Sequence, residues 1–207
     1  MTVLDRIETA FWKFIKFGSN MYDFASKFSQ GLSYDDFHTR HGSETHRRRW
    51  DAVYDRVQLT PDRVVLLNGF TRQMKVLCLA GAWCGDCVNQ CPIFDHIAAA
   101  SSVIDLRFID RDADEHVRAS LSVNGGARVP VLLWLNEEGQ EVSRFGDRTL
   151  SRYRELAATQ LGASCPTGLV PPDDSATAAV TREWIDEFER VHLILRLSPK
   201  YREQYGD

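Results

Sequence analysis

The sequence predicts an α/β protein in which helices cover a mixed central sheet. Between residues 69 and 162, short apolar runs alternate with helical segments in the order strand, helix, strand, helix, strand, strand, helix. The chain has 207 residues, of which 43% are hydrophobic, enough for a real core in a globular protein. Both flanks of this region carry apolar residues at helical spacing, so we expect extra helices at the two ends.

Composition and charge exclude several functional classes. Lys and Arg total 25 against 29 Asp and Glu, a net charge of −4, which argues against nucleic acid or an anionic membrane as the main partner. No apolar run approaches the ~20 residues that a membrane-spanning helix needs, and charges interrupt the first twenty residues where an export signal would be apolar. We therefore expect a cytoplasmic protein with no membrane partner.

Residues 1–68 are predicted to form a helical N-terminal extension. Four signals support this: apolar spacing, a serine followed three residues later by an acid, a second apolar stripe, and a Thr-Pro helix start closed by glycine. The apolar spacing lies at 4–15 and is followed by a short helix at 21–28. The serine and the acid are Ser33 and Asp36. The second apolar stripe lies at 50–57, and the Thr-Pro helix runs from Thr60 to Gly69.

Residues 69–162 are predicted to form the α/β domain. The expected strands are apolar runs bounded by turn residues, and the expected helices lie between and after them. The strands are at 75–80, 102–109, 131–135 and 141–145, and the helices at 84–100 (interrupted by Pro92), 115–121 and 151–161.

Residues 163–207 are predicted to be a linker and a helical arm. Proline and glycine are frequent in 163–175, whereas an apolar stripe runs from Val180 to Leu195 and ends at Ser198-Pro199. We expect this helix to pack on its own domain. A homodimer contact through the same stripe is the alternative, so both monomer and homodimer stay open.

Four of the five cysteines lie within fourteen residues, from Cys78 to Cys91, and Cys165 lies in the linker. In a cytoplasmic chain such a cluster indicates redox chemistry or metal binding rather than structural disulfides.

Cys84 follows a strand and begins a helix, where free backbone N–H groups stabilise a thiolate. Cys87 is close enough to Cys84 to form a disulfide with it, but the helix shields Cys87 from solvent. Asp86 is expected to raise the pKa of Cys84, and Arg128 to offset it.

The segment Trp-Cys-Gly-Asp-Cys (83–87), with Pro92 five residues after the second cysteine and Val129-Pro130 before a strand, resembles the thioredoxin family over roughly 70–162. The resemblance implies a thioredoxin-like three-layer fold, a cis bond before Pro130 opposite the cysteines, and disulfide reduction. Cys84 would be the nucleophile and Cys87 the resolving thiol. The supporting residues would be Trp83, Gly85, Asp86, Arg128, Val129 and Pro130.

The same resemblance implies no bound cofactor beyond a Cys84–Cys87 disulfide. The partners would be a disulfide substrate and an electron-donating reductase. Three departures stand out. Asp86 occupies the position of the family's usual proline between the two cysteines. Cys78 occupies the position of the family's buried acid, and no clear strand precedes Thr60.

Two other functions stay open. The first is a non-catalytic thioredoxin-like binding scaffold, since fold alone does not imply activity. The second is a cysteine-ligated metal or iron–sulfur site at Cys84, Cys87 and Cys91, but Gly81 stands where a fourth cysteine is needed, so we expect no metal. Cys91 itself is expected to be a small buried residue, or else a third redox thiol.

A basic segment near residue 40 contains three histidines beside Arg47, Arg48 and Arg49. The spacing of His38, His41 and His46 does not place all three on one face of a helix. We therefore expect this segment to form a solvated basic surface rather than a metal site.

Overall fold

The computed structural model describes residues 23–160 and 176–206. The predicted helix at 4–15, the start of the predicted helix at 21–28, the whole predicted linker at 163–175, and Cys165 lie outside these residues. Within them, no helix is long and apolar enough to cross a membrane.

The strands form one mixed sheet in the order β2-β1-β3-β4. Strand β1 pairs in parallel with β2 and antiparallel with β3, and β3 pairs antiparallel with β4. Strands β1 and β3 are central and apolar, because both of their faces are covered. The bounds are Met74–Ala80 (β1), Ile104–Asp110 (β2), Val131–Leu135 (β3) and Glu141–Gly146 (β4).

Helices flank the sheet and continue beyond it at both ends of the described chain. Each predicted helix within the described residues is present, with ends shifted by a few residues. A last short helix, which begins at Pro199, was not predicted. The bounds are Phe24–Gln30 (α1), Tyr34–His41 (α2), Glu44–Tyr54 (α3), Pro61–Asn68 (α4), Gly85–Ala99 (α5), Glu115–Ser120 (α6), Leu150–Gln160 (α7), Ala176–Leu197 (α8) and Pro199–Tyr205 (α9).

Helix α5 contains Pro92 yet is one continuous helix. The prediction that Pro92 interrupts this helix is therefore wrong. Eight of its side chains are buried, because α5 packs between the sheet and the helices α3 and α8. The helix that starts at the cysteine motif is thus packed in the core.

A single β-bridge takes the place of a strand at the β2 edge. The N–H and C=O of Leu32 each bond to Phe108 at 2.8 Å, and helix α2 then packs beside this bridge. The sequence predicts no clear strand before Thr60, and a single bridge in this place agrees with that prediction. The bridge and the helices that follow cover the backbone edge, which would otherwise invite pairing with another chain.

An aromatic cluster joins α2 and α3 to the sheet, and it corrects one prediction. His38 was expected on a solvated surface, but its side chain is only 4% exposed. Its ring lies 4.3 Å from that of Trp50 and 5.1 Å from that of Tyr34. The basic surface therefore lacks this histidine, although Arg47 does lie partly exposed and pairs with Asp35 at 2.7 Å.

The apolar stripe of α8 packs on its own domain, as predicted. Trp184 and Phe188 are fully buried, and their rings contact Phe94 of α5 and Trp134 of β3. The indole N–H of Trp184 also donates to the side-chain oxygen of Gln90 at 2.9 Å. The C-terminal arm is thereby joined to the helix that carries the cysteines.

Candidate active site

Cys84 occupies the N-cap of α5, immediately after the loop that leaves β1. Its backbone is extended, with φ −76° and ψ 127°, and its carbonyl accepts the first helical hydrogen bond from Val88 at 2.9 Å. The Cys84 N–H donates to the carbonyl of Gly81 at 2.9 Å, which closes the turn between strand and helix. The side chain is half-buried, so its sulfur can meet a partner from solvent.

Three further cysteines continue inward from Cys84. Cys87 is fully buried, and its sulfur accepts a hydrogen bond from the backbone N–H of Gly81 at 3.5 Å. Cys91 follows one turn later on the same helix, and Cys78 lies on β1; both are also fully buried. The predicted burial of Cys91 is therefore confirmed.

The two motif cysteines have opposite pKa shifts. The neighbouring thiol of Cys87 and burial both raise the pKa of Cys84. Burial opposes ionisation of Cys87 as well, but the thiols of Cys84 and Cys91 and the N–H of Gly81 outweigh it and lower the pKa of Cys87. The two motif thiols are therefore coupled, and one negative charge in the pair opposes a second.

The Val129–Pro130 segment lies directly against Cys84. The Val129–Pro130 peptide bond is cis, and the Cys84 thiol donates to the Val129 carbonyl over 3.6 Å. Gly146 of β4 pairs with Val131 and packs behind this segment so closely that a Cβ there would lie 2.6 Å from the Pro130 carbonyl oxygen. The predicted pair Val129 and Pro130 thus meets the predicted nucleophile in space.

Asp86 does not act on Cys84 as the sequence suggested. Its carboxylate, 15% exposed, accepts hydrogen bonds from Arg148 at 2.5 and 2.9 Å and lies 3.6 Å from Arg152. The pKa of Cys84 is raised as expected, but its cause is the neighbouring thiol of Cys87 and burial. The guanidinium of Arg128 pairs with Asp147 at 3.2 Å, and the offset by Arg128 stays a prediction.

Trp83 forms the exposed rim of the site. Its side chain is 44% exposed, and the guanidinium of Arg111 lies over the ring at 4.4 Å. Behind it, the indole N–H of Trp50 donates to the Ala82 carbonyl at 3.0 Å, in a fully buried hydrogen bond. The N-terminal helices therefore support the loop that presents Cys84. Gly85, the first residue of α5, has open space where a Cβ would lie.

Comparison with known proteins assigns the family. A sequence model of the family described as Thioredoxin matches residues 31–159, which is more than half of the chain. This chain belongs to the thioredoxin family. The match begins before α2, so in this member of the family the helices that support Ala82 fall within the matched region.

Two solved structures share the thioredoxin-family fold of this chain. One is a protein of unknown function from Pseudomonas aeruginosa, 20% identical, with a TM-score of 0.58 over 85% of this chain and 98% of that one. The other is an HIV epitope scaffold, 21% identical, with a TM-score of 0.59 over 80% and 98%. No curated protein matches the sequence. The likeness concerns the fold alone.

Sequence reasoning missed several residues that surround the thioredoxin motif. Arg111 could have been found, because β1 and β2 are parallel and end at the same edge, where the Arg111 N–H donates to the Ala80 carbonyl at 2.8 Å. Arg148 could not, because it lies 62 residues from Asp86 and no local pattern marks it.

Asp147 was missed as well, although it organises the far side of the site. It is almost completely buried and pairs with Arg128 and with Arg148, at 3.2 and 3.1 Å, and Tyr153 donates to it. Burial opposes its ionisation, but the hydrogen bonds from Tyr153 and Arg128 lower the pKa of Asp147. Its backbone carbonyl accepts from the Gln90 amide at 3.0 Å, which ties this network to α5.

Within residues 23–160 and 176–206, no group of three or more His, Cys, Asp or Glu side chains is arranged to hold a metal ion. The cysteine cluster is instead a line of thiols, with one half-exposed member and three buried ones.

Proposed function

We propose that this member of the thioredoxin family is a thiol–disulfide oxidoreductase that reduces disulfides through Cys84 and Cys87. One observation carries the proposal: the half-buried Cys84 sulfur lies 3.6 Å from the Val129 carbonyl beside the cis Val129–Pro130 bond, with Cys87 fully buried behind it. One sulfur is half-buried, and the other is fully buried. That division is what an attacking and a resolving thiol require.

In the first step, the one proton that the pair holds passes to Cys87, so that Cys84 becomes the thiolate that acts as the nucleophile. Cys84 then attacks one sulfur of the substrate disulfide. A bond forms between Cys84 and that sulfur while the substrate S–S bond breaks. The leaving sulfur carries away the electron pair and the proton that the cysteine pair had held.

In the second step, the Cys87 thiolate attacks the sulfur of Cys84. The mixed disulfide breaks, and the released substrate sulfur takes its electron pair and a proton from solvent. The substrate has then gained two electrons and two protons, and the protein holds a Cys84–Cys87 disulfide. An electron-donating dithiol reductase must return the pair to its reduced form. No bound organic cofactor takes part in these steps.

The direction of the reaction depends on the predicted cytoplasmic location, where the glutathione pool favours reduction. An extended substrate segment would pair with the backbone before Pro130, and Trp83 and Arg128 would border it. Arg128 is 43% exposed, and the charge of its partner Asp147 is buried, so the side of the site next to Val129 offers substrate a cation.

The test is the reduction potential of the Cys84–Cys87 pair. The protein is equilibrated in dithiothreitol redox buffers, and its alkylated thiols are counted by mass spectrometry. We expect a reversible two-electron transition near or below roughly −220 mV. The transition should be absent in Cys84→Ser and in Cys87→Ser, and present in Cys78→Ser.

A trapping experiment identifies the nucleophile. Cys87→Ser cannot resolve, so it should accumulate a mixed disulfide on Cys84 when it meets an oxidised peptide, whereas Cys84→Ser should not. If the wild-type pair forms no disulfide under mild oxidation, the exchange mechanism is wrong and a non-catalytic binding scaffold explains the fold better.

A further inference from the structure

Arg128 combines an exposed cation with a position beside the reactive sulfur. It directly precedes Val129, whose carbonyl accepts the hydrogen bond from the Cys84 thiol at 3.6 Å. Its side chain is 43% exposed, whereas the side chain of its partner Asp147 is almost completely buried. The carboxylate therefore holds the guanidinium from the inside of the protein, and the outer side of Arg128 presents positive charge on the surface next to Val129.

Asp147 is shared, so it compensates Arg128 only in part. Arg148 pairs with the same carboxylate at 3.1 Å, and Tyr153 donates to it. Among the ion pairs of the described residues, Arg128 has Asp147 as its partner, whereas Arg148 has both Asp147 and Asp86. Of the two guanidinium groups, that of Arg128 is both the more exposed and the less compensated.

The acids that flank the motif are engaged with arginines. Asp86 is largely buried in the ion pair just described. Asp112, which follows β2, pairs with Arg111 at 2.9 Å and with Arg118 at 3.5 Å. Asp110 accepts the backbone N–H of Asp112 at 2.9 Å, and its charge acts on Arg111. These carboxylates are thus compensated and repel an anionic substrate only weakly.

Arg111 brings a second cation to the same segment. It donates to the Ala127 carbonyl at 3.5 Å, and its guanidinium lies over the exposed ring of Trp83. However, both of its other donor nitrogens bond to the exposed carboxylate of Asp112. The observations therefore favour Arg128, rather than Arg111, as the cation that a substrate meets.

We propose that Arg128 is a specificity-determining residue that pairs with a carboxylate beside the disulfide of the substrate. The inference rests on the proposed function and names its substrate class, which is a disulfide with an anionic group next to the sulfur that Cys84 attacks. An acidic residue beside a cysteine in a polypeptide supplies such a group, and so does a small organic disulfide that carries carboxylates. Arg128 acts by charge attraction and forms no covalent bond.

The first test measures how fast Cys84 attacks disulfides of different charge, in the full chain with Cys87→Ser so that the mixed disulfide accumulates. Three peptide disulfides differ only in the residue next to the cysteine, which is Glu, Gln or Lys. Peptide mass mapping reads the reaction at Cys84 alone. Each rate is divided by that of free mercaptoethanol with the same peptide, which removes differences between the leaving thiols.

We expect the Glu peptide to react at least about fivefold faster than the Lys peptide at low ionic strength, with the Gln peptide between them. The preference should disappear in about 1 M salt, because salt screens the attraction between exposed charges. A change in the pKa of Cys84 alters the three rates alike, so it cancels in the ratio of Glu to Lys.

Substitutions assign the preference to one side chain. Arg128→Gln leaves Asp147 with its other two partners, so the fold should persist, and the ratio should fall to less than half of the parent value. Arg128→Lys retains the charge and should retain most of the preference. Arg107→Gln is the matched control, because Arg107 is 41% exposed and paired with Asp105 on β2. It should leave the ratio unchanged.

A second arm identifies the source of the carboxylate. It replaces the peptides with dithiodipropionate, which carries two carboxylates, and cystamine, which carries two amines. A preference that depends on Arg128 with the peptides alone supports recognition of an acidic polypeptide segment. The same preference with the small disulfides supports recognition of the carboxylate whatever molecule carries it.

The outcomes separate the inference from the proposed function. A ratio near one with the peptides in the parent protein, an unchanged ratio in Arg128→Gln, equal losses in Arg128→Gln and Arg128→Lys, or the same loss in Arg107→Gln would each overturn the inference and leave the exchange function untouched. If the preference depends on Arg128 but the wild type forms no Cys84–Cys87 disulfide, charge recognition at Cys84 stands, whereas the exchange function is wrong.

Discussion

Protonation of His38 should destabilise the helices that support the active-site loop. Its ring is packed edge-on against Trp50, and neither ring nitrogen has a hydrogen-bond partner among the described residues. Burial, together with the nearby charge of Arg47, lowers the pKa of His38 to about 4 from its ordinary 6.5. Trp50 in turn donates to the Ala82 carbonyl, two residues before Cys84. A charge at His38 therefore acts on the support of the cysteine motif.

The sign and size of the effect follow from these two pKa values. Between pH 6.5 and 4 the unfolded chain binds a proton at His38 that the folded protein does not, so stability falls as the pH falls through this window. The contribution is complete above the unfolded value and lost below the folded one. Going from pH 7 to pH 5 should lower the free energy of unfolding by about 2 kcal/mol through this residue.

Urea unfolding at pH 7 and pH 5, compared between the wild type and His38→Phe, measures this term. Phenylalanine keeps an aromatic ring in the cluster and cannot be charged, so the variant should lose about 2 kcal/mol less than the wild type over the same interval. The comparison cancels the contributions of the other histidines. If both proteins lose the same free energy, His38 is not buried in its neutral form and the reasoning fails.

Three other substitutions test the immediate surroundings of the motif. Gly146→Ala would place a Cβ 2.6 Å from the Pro130 carbonyl oxygen, so it should lower the free energy of unfolding, measured in urea, by about 3 kcal/mol and slow disulfide exchange. Gly85→Ala, with open space around it, should change stability by less than about 1 kcal/mol in the same assay, and an equal loss in both would contradict the packing argument. Arg148→Gln should lower the free energy of unfolding by about 1–3 kcal/mol. It should also lower the reduction potential of the cysteine pair, because it leaves the Asp86 carboxylate less compensated near Cys87. An unchanged potential in redox titration would refute this.

Local patterns predicted most of the sheet and the position of the motif. The run at 131–135 was predicted with the bounds that the structure has, because Pro130 and the Asn136 turn limit it on both sides. Which strands pair with β1 does not follow from the apolar runs and comes from the structure. Cys84 at a helix start and Cys87 behind it followed from the same local information.

The electrostatics of the site could not be predicted in the same way. A carboxylate in the motif, Asp86, was expected to act on the adjacent thiol, but its partner Arg148 comes from beyond β4 and compensates it. His38 was misplaced for a related reason. Several charged residues lie near it in sequence, but its ring packs against Tyr34, one turn earlier on α2, and against Trp50 of α3.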